Sequence, residues 1–127
     1  MIEPWQALDE EIAQWAAPPA LWLRDDDATG PAPAVETLLN ACAVGRVPVC
    51  LAVIPSSLDP EFFPWLTSQA ASTTVVPHGL GHTNYAPEGQ KKSEFGDHRS
   101  LSEISKDLRD GLRRVQDAFG SQSRPIF

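Results

Sequence analysis

The chain has 127 residues, a formal net charge of −7 and 42% hydrophobic residues, a composition that suits one globular domain or part of one. Its densest basic groups are two adjacent pairs, Lys91 with Lys92 and Arg113 with Arg114, so the sequence lacks the basic stripe typical of nucleic-acid-binding proteins. The N-terminus has neither the basic start nor the apolar core of a secretory signal, and no apolar run is long enough to span a bilayer. We therefore expect a cytoplasmic protein that binds neither nucleic acid nor membranes.

Hydrophobic spacing predicts the first three elements. Apolar residues at intervals of three to four predict an amphipathic helix over residues 4–17, which the following prolines end. The apolar run at 20–23 predicts a short strand that stops before three aspartates, Asp25–Asp27. Turn residues and a new helical spacing then predict a helix from Pro33 to about Gly45.

The middle of the chain predicts two more strands with a helix between them. The segment 47–54 is apolar throughout, as is typical of a strand that is covered on both sides. A helix is expected to begin near Pro60 and to be made irregular by Pro64. The segment 73–77 predicts a third short strand.

The C-terminal third begins with a long polar segment, 78–99, that has no clear period, and long loops of this kind are often functional. Ser100 and Glu103 form a capping-box pattern, and the apolar spacing after them predicts a helix that ends at Gly120. The last residues, 124–127, predict the start of another strand.

The resulting alternation of helices and strands is typical of α/β proteins, in which helices cover a parallel sheet. In such sheets, binding sites form at the carboxyl ends of the strands. Two unusual clusters follow predicted strands in this sequence, the run Asp25–Asp27 and the segment HGLGHTN at 78–84. We therefore expect these clusters to lie at the same end of the sheet.

Both clusters indicate a divalent metal. Adjacent carboxylates at a strand end repel one another unless a cation, such as a metal ion or Arg24, lies among them. The glycines between His78 and His82 disfavour a helix, so we expect a tight loop that turns both imidazoles to one point. Two histidines and one carboxylate form the usual open site of a catalytic metal, and a second carboxylate can accept a proton from the attacking water.

At these residues the sequence resembles a known family. LRDDDA at 23–28, followed by HGLGHTN, is similar to the first two motifs of the polysaccharide deacetylase family, the NodB-homology carbohydrate esterases. The longer segment HGLGHTNYAPEGQKKSEFG at 78–96 resembles the second motif of a bacterial subgroup that also carries RDDD near its start. The resemblance covers residues 20–127 and corresponds to the N-terminal part of the family domain.

The resemblance implies a fold and a set of site residues. The family fold is a distorted (β/α) barrel with parallel strands, of which this chain would form the N-terminal part. The family's paired aspartates act as general base and as metal ligand. In the register that we adopt, Asp26 is the catalytic base and Asp27 binds the metal together with His78 and His82. The other register assigns the two aspartate roles to Asp25 and Asp26.

The resemblance further implies a metal-dependent hydrolase that removes acetyl groups, held by an amide or ester bond, from a carbohydrate-like substrate. Zinc is the expected cofactor, and cobalt, nickel or iron suits the same ligands. Because the sequence shows no export signal, we expect an acetylated sugar or a related small-molecule amide rather than an extracellular polymer. Asn84 and Tyr85, just after the second histidine, are the predicted substrate-binding residues.

The C-terminus leaves an alternative open. The family's later motifs supply an arginine that orients the base, apolar groups around the acetyl methyl and a histidine that acts as general acid, and none can be placed here. We therefore expect a helix at residues 1–19 and a partial barrel domain at 20–127, truncated at its C-terminus. A half barrel exposes sheet edges, so a homodimer is expected. The alternative function is a noncatalytic or truncated member that keeps the fold and the metal site.

Overall fold

The computed structural model describes residues 3–126 of the chain. Within this range the helices and strands are α1 (Pro4–Ile12), β1 (Arg24–Ala28), α2 (Pro33–Gly45), β2 (Val49–Val53), α3 (Phe62–Thr67), β3 (Thr73–Pro77) and α4 (Leu101–Phe119). Short 3-10 turns follow β2 at Pro55–Ser57 and α4 at Gly120–Gln122. The strands form one parallel sheet in the order β1-β2-β3. The predicted α/β class, part of a (β/α) barrel with parallel strands, is confirmed.

The two faces of the sheet differ. On one face, here called the covered face, strand residues pack against α2, α3 and α4 in the main hydrophobic core. The largest fully buried side chains of this core are Phe62, Phe119, Leu39, Leu51 and Leu66. On the other face, here called the open face, the alternate strand residues Cys50, Ala52 and Val76 form a small separate cluster. This division follows from the period of two along a strand.

The first strand lies later in the chain than its hydrophobicity indicates. The prediction of a strand at 20–23 is wrong, because β1 is formed by Arg24–Ala28 and contains all three aspartates. A strand needs a neighbour that supplies hydrogen bonds, and the ladder with β2 begins where Arg24 pairs with Cys50. The apolar run before it is solvated, since Leu21 is 90% and Trp22 is 64% exposed.

The N-terminal helix is shorter than predicted. α1 ends at Ile12, and residues 13–17 form turns instead of the helix expected to reach 17. None of the α1 residues is buried, and Trp5 is 77% exposed. Its apolar stripe therefore packs against no described element. The expected division into residues 1–19 and 20–127 stays a prediction.

The remaining elements follow the predictions closely. β2 is buried at every position, and α4 starts after a complete capping box formed by Ser100 and Glu103. Residues 78–99 contain neither helix nor strand, as their lack of a hydrophobic period predicts. The strand predicted at 124–127 is present only as a parallel bridge between Val75 and Ser123, continued by a 2.9 Å bond from the Arg124 N–H to the Val75 carbonyl. Phe127 lies outside the described residues. None of the described helices is both long enough and apolar enough to cross a bilayer.

Candidate metal centre at the carboxyl ends of the strands

A bulge in β1 takes Asp27 out of the regular alternation. Asp26 pairs with Ala52 and Ala28 pairs with Val53, so Asp27 is an extra residue without a partner on β2. Its φ of 70° lies in the left-handed region, which aspartate adopts more readily than most residues but at a cost of about 1–3 kcal/mol. Bulges often redirect a side chain next to an active site. In a regular strand, Asp26 would point to the open face and Asp27 to the covered face, away from the histidines.

The two histidines lie on the segment that directly follows β3. The His78 N–H donates to the Val53 carbonyl at 2.7 Å, which fixes this residue beside the end of β2. Gly79, with a φ of 69°, and His82, with a φ of 52°, turn the chain sharply between the imidazoles. The two ring centroids lie 5.0 Å apart. The tight loop expected from the glycines is present.

The structure brings the three predicted metal ligands together. Asp27 Oδ1 lies 3.3 Å from His78 Nε2 and 3.6 Å from His82 Nε2. The three donor atoms all lie within 4.8 Å of one another. Because zinc binds nitrogen and oxygen at about 2.0–2.2 Å, two ligands of a tetrahedral site lie about 3.3–3.6 Å apart. The two distances and the donor types therefore fit zinc or a similar divalent cation.

Arg24 connects the cluster to the predicted base. Its Nε donates to Asp26 Oδ1 at 2.6 Å, and its Nη2 lies 3.1 Å from His78 Nδ1. A guanidinium only donates, so Nδ1 accepts and the neutral imidazole carries its proton on Nε2, the atom that faces Asp27. Metal-bound histidines usually donate their second ring N–H to a carboxylate or carbonyl instead. Arg24 therefore contacts both the predicted base and one of the predicted metal ligands.

Two further ionisable groups of the strands lie outside the cluster. Asp25 pairs with Leu51, a residue of the covered face, and is half-buried. Burial raises the pKa of the Asp25 carboxyl, and the charges of Asp26 and Asp27 raise it further. Burial also raises the pKa of the Cys50 thiol, so this group stays protonated and is a poor metal ligand at neutral pH.

The cluster opens into a cavity of about 360 Å³, lined by Arg24, His78, Gly79, His82, Ser93, Glu94 and Phe95. A smaller cavity of about 200 Å³ adjoins it at His82. A larger groove of about 530 Å³ lies between α3 and α4, but no residue of the Asp27 cluster lines it. We take the 360 Å³ cavity as the candidate substrate site because both histidines of the cluster and Arg24 line it.

The two predicted substrate-binding residues are engaged within the loop. Asn84 Oδ1 accepts hydrogen bonds from the N–H groups of Ala86 and Ser93, at 3.1 and 3.0 Å. The Tyr85 ring lies under the Arg99 guanidinium, with 4.1 Å from Cζ to the ring centroid. Asn84 lines the smaller cavity, whereas Tyr85 lines neither of the two cavities at the histidines. Their substrate role stays a prediction.

Sequence reasoning missed the part that Glu94 plays in this site. Its carboxylate accepts hydrogen bonds from the backbone N–H groups of Leu80 and Gly81, between the two histidines. The segment around it, with Lys91 and Lys92, contains neither helix nor strand. The available signal was the longer family-like segment, which contains this glutamate among its matching positions.

No protein-family model and no curated protein matches the sequence. Among solved structures, the fold is similar to one described as "T48 deacetylase with substrate", with a TM-score of 0.54 and 15% sequence identity. The match covers 78% of this chain and 43% of that chain, so the present chain spans less than half of that protein. A likeness at this identity concerns the fold alone, and it shows that this chain shares the α/β fold of part of that structure.

Proposed function

We propose that this chain carries the metal site of a hydrolase that removes acetyl groups, bound as amide or ester, from a carbohydrate-like substrate. The observation that supports it most directly is the convergence of Asp27, His78 and His82 at the carboxyl ends of the strands. The deacetylase-like fold and the family-like motifs agree with it. The family assignment, the polysaccharide deacetylases with their RDDD subgroup, is part of this proposal.

The proposal assigns the binding of zinc, or of a similar divalent cation, to the two imidazoles and the Asp27 carboxylate. A cation held there would lower the pKa of a bound water and polarise the acetyl carbonyl. Asp26 accepts the proton from the attacking water, and its ion pair with Arg24 keeps the carboxylate in one orientation. The 51% exposure of the Asp26 side chain leaves it accessible to that water.

The surroundings favour a substrate that approaches from solvent. The side chains of Asp27 and His82 are each 53% exposed, and the cavity next to them is open. An acetyl group on a sugar or on another small amide can therefore reach the cluster without a buried tunnel. A divalent site with three protein ligands also leaves positions for water and a carbonyl oxygen.

The decisive experiment measures metal content and acetyl release together. The purified chain is dialysed with Zn²⁺, and its stoichiometry is compared with those of Asp27→Ala, His82→Ala and the control His98→Ala, which changes an exposed histidine away from the cluster. We expect one Zn²⁺ per chain in the wild type and control, and a loss of at least tenfold in affinity for the two cluster variants. A wild-type zinc stoichiometry and affinity in both cluster variants would rule out the proposed site.

Acetyl release is measured on N-acetylglucosamine oligomers and on a chromogenic acetyl ester. Asp26→Asn should keep the metal and lose activity by about 10²–10⁴-fold, the usual contribution of a general base. Zinc binding without turnover on any acetylated substrate would favour the alternative, a noncatalytic or truncated member. Because the match covers only 43% of the deacetylase structure, the measurement of acetyl release also tests whether this chain suffices for turnover.

A further inference from the structure

The loop between the two histidines is held by contacts from several parts of the chain. The Ser56 N–H donates to the Leu80 carbonyl at 2.8 Å, on the side of the turn that follows β2. On the opposite side, Glu94 Oε1 accepts from the Gly81 N–H at 2.8 Å and from the Leu80 N–H at 3.2 Å. Three polar backbone groups of a five-residue loop are thus satisfied by partners outside it.

Glu94 is the side chain that reaches this loop from a distant part of the sequence. Its own position is fixed in turn, because the Arg99 guanidinium donates to the Glu94 carbonyl at 3.2 Å. Arg99 is anchored to α4 through a 2.7 Å ion pair with Asp107 in which both side chains are mostly buried. A continuous set of polar contacts therefore links α4 to the loop that carries the imidazoles.

Two glycines make room for this arrangement. A Cβ at Gly79 would overlap the Glu94 carboxylate. A Cβ at Gly111 of α4 would lie 2.8 Å from the Gly79 carbonyl oxygen. The loop is therefore packed tightly between a carboxylate and a helix backbone, and neither position tolerates a side chain without movement.

We propose that Glu94 is a positioning residue, which fixes the loop so that His78 and His82 both face Asp27. This role rests on the proposed metal-dependent function. Both carboxylate oxygens accept hydrogen bonds from backbone N–H groups of the loop, and through these bonds the side chain holds the loop. Without it, the Leu80 and Gly81 N–H groups lose their acceptor and the left-handed turns at Gly79 and His82 lose their restraint.

The test uses Glu94→Ala, Glu94→Gln and the control Glu88→Ala, which removes an exposed carboxylate of the same segment. Glutamine keeps an acceptor oxygen but removes the charge, so it separates loop positioning from electrostatic attraction of the cation. Co²⁺ affinity is measured by titration, and its visible spectrum reports the coordination geometry. Hydrogen exchange of the Leu80 and Gly81 amides, in metal-free protein, reports the order of the loop.

We expect Glu94→Ala to weaken Co²⁺ binding about 10- to 100-fold, to alter the spectrum and to speed exchange of both amides. Glu94→Gln should restore most of the affinity, the spectrum and the amide protection, and Glu88→Ala should match the wild type. Thermal unfolding checks that each variant is folded.

Wild-type affinity and spectrum in Glu94→Ala would overturn this role and leave the proposed function standing. A glutamine variant as impaired as the alanine variant would also overturn it, because charge rather than positioning would then be responsible. A wild-type protein that binds no Co²⁺ or Zn²⁺ would overturn the proposed function, and this role with it.

Discussion

The covered and open faces of one sheet have opposite characters, although the same strands form both. On the covered face, Leu51 and Val75 are fully buried against helices. On the open face, the pairing register groups Arg24 and Asp26 with Cys50 and Ala52. The covered face provides stability through apolar packing, whereas the open face carries charged groups that no core could hold unpaired.

This contrast means that stability and chemistry can be changed separately. Residues of the covered face should affect the free energy of unfolding, and residues of the open face should affect the binding of a metal. Three substitutions, from the largest expected effect to the smallest, examine this separation.

The first substitution weakens the covered face. Phe119 is fully buried and packs edge-on against Phe62, with ring centroids 5.7 Å apart. Phe119→Ala should lower the free energy of unfolding by about 3–5 kcal/mol, because it removes a large apolar side chain and leaves a cavity. Urea denaturation measures the loss, and Zn²⁺ titration of the remaining folded protein should give wild-type affinity. A parallel loss of metal affinity would show that the two faces are coupled.

The second substitution changes the open face alone. A cation on His78 Nε2 leaves the imidazole proton on Nδ1, opposite the donor Nη2 of Arg24. Removing the guanidinium in Arg24→Gln takes away that conflict and a nearby positive charge, and repulsion between a unit charge and a divalent ion several ångströms apart in water costs about 1 kcal/mol. We expect metal affinity to rise about tenfold, while acetyl release falls because Asp26 loses its partner.

Arg113→Gln, at an exposed arginine of α4, is the matched control for Arg24→Gln. The metal affinity is read by competition with a chelating dye. Weaker binding in the Arg24 variant would mean that the guanidinium orients His78 for the metal, contrary to this prediction.

The third substitution concerns Asp25, an acid on the covered face that pairs with the buried Leu51. Its pKa is raised in the folded protein, mainly by burial, so the folded state binds this proton more tightly than the unfolded state. Stability is therefore lost as pH rises from the ordinary pKa of 3.8 through the raised value. Asp25→Asn should raise the free energy of unfolding at pH 7 by less than about 1 kcal/mol, since solvent screens a partly exposed group.

Urea unfolding of metal-free protein at pH 7 and pH 3 checks the Asp25 prediction. The gain of the asparagine variant should be present at pH 7 and absent at pH 3, where the carboxyl is protonated in both states. An equal gain at the two pH values would point to packing rather than charge.

The sequence predicts the order of the elements well because hydrophobic period and capping are local properties. β2, β3 and α4 are such cases, and Ser100 fixes the start of α4 through its own capping box. The position of β1 is not local, because the hydrogen-bond partner on β2 decides which residues form the strand.

The candidate site, like the fold, could be predicted from the sequence only in part. Residue type and spacing indicated a set of His78, His82 and one aspartate, the family resemblance selected Asp27, and these three side chains lie together in the structure. The contacts of Arg24 depend on the face of the sheet to which its side chain points. The contacts of Glu94 depend on the path by which the long loop folds back against the histidine segment. Neither the alternation of residues along a strand nor a sequence motif specifies these contacts, so the parts played by Arg24 and Glu94 could be found only in the folded structure.

The bulge at Asp27 has a consequence for how this site can be gained or lost. Arg24, Asp25 and Asp26 pair with consecutive residues of β2, and Ala28 continues the same count without Asp27. An in-frame deletion of one aspartate codon would therefore leave a regular ladder and an unstrained strand. The shortened gene would encode a well-folded protein that lacks one metal ligand, and a duplication of that codon would restore the ligand in a single step.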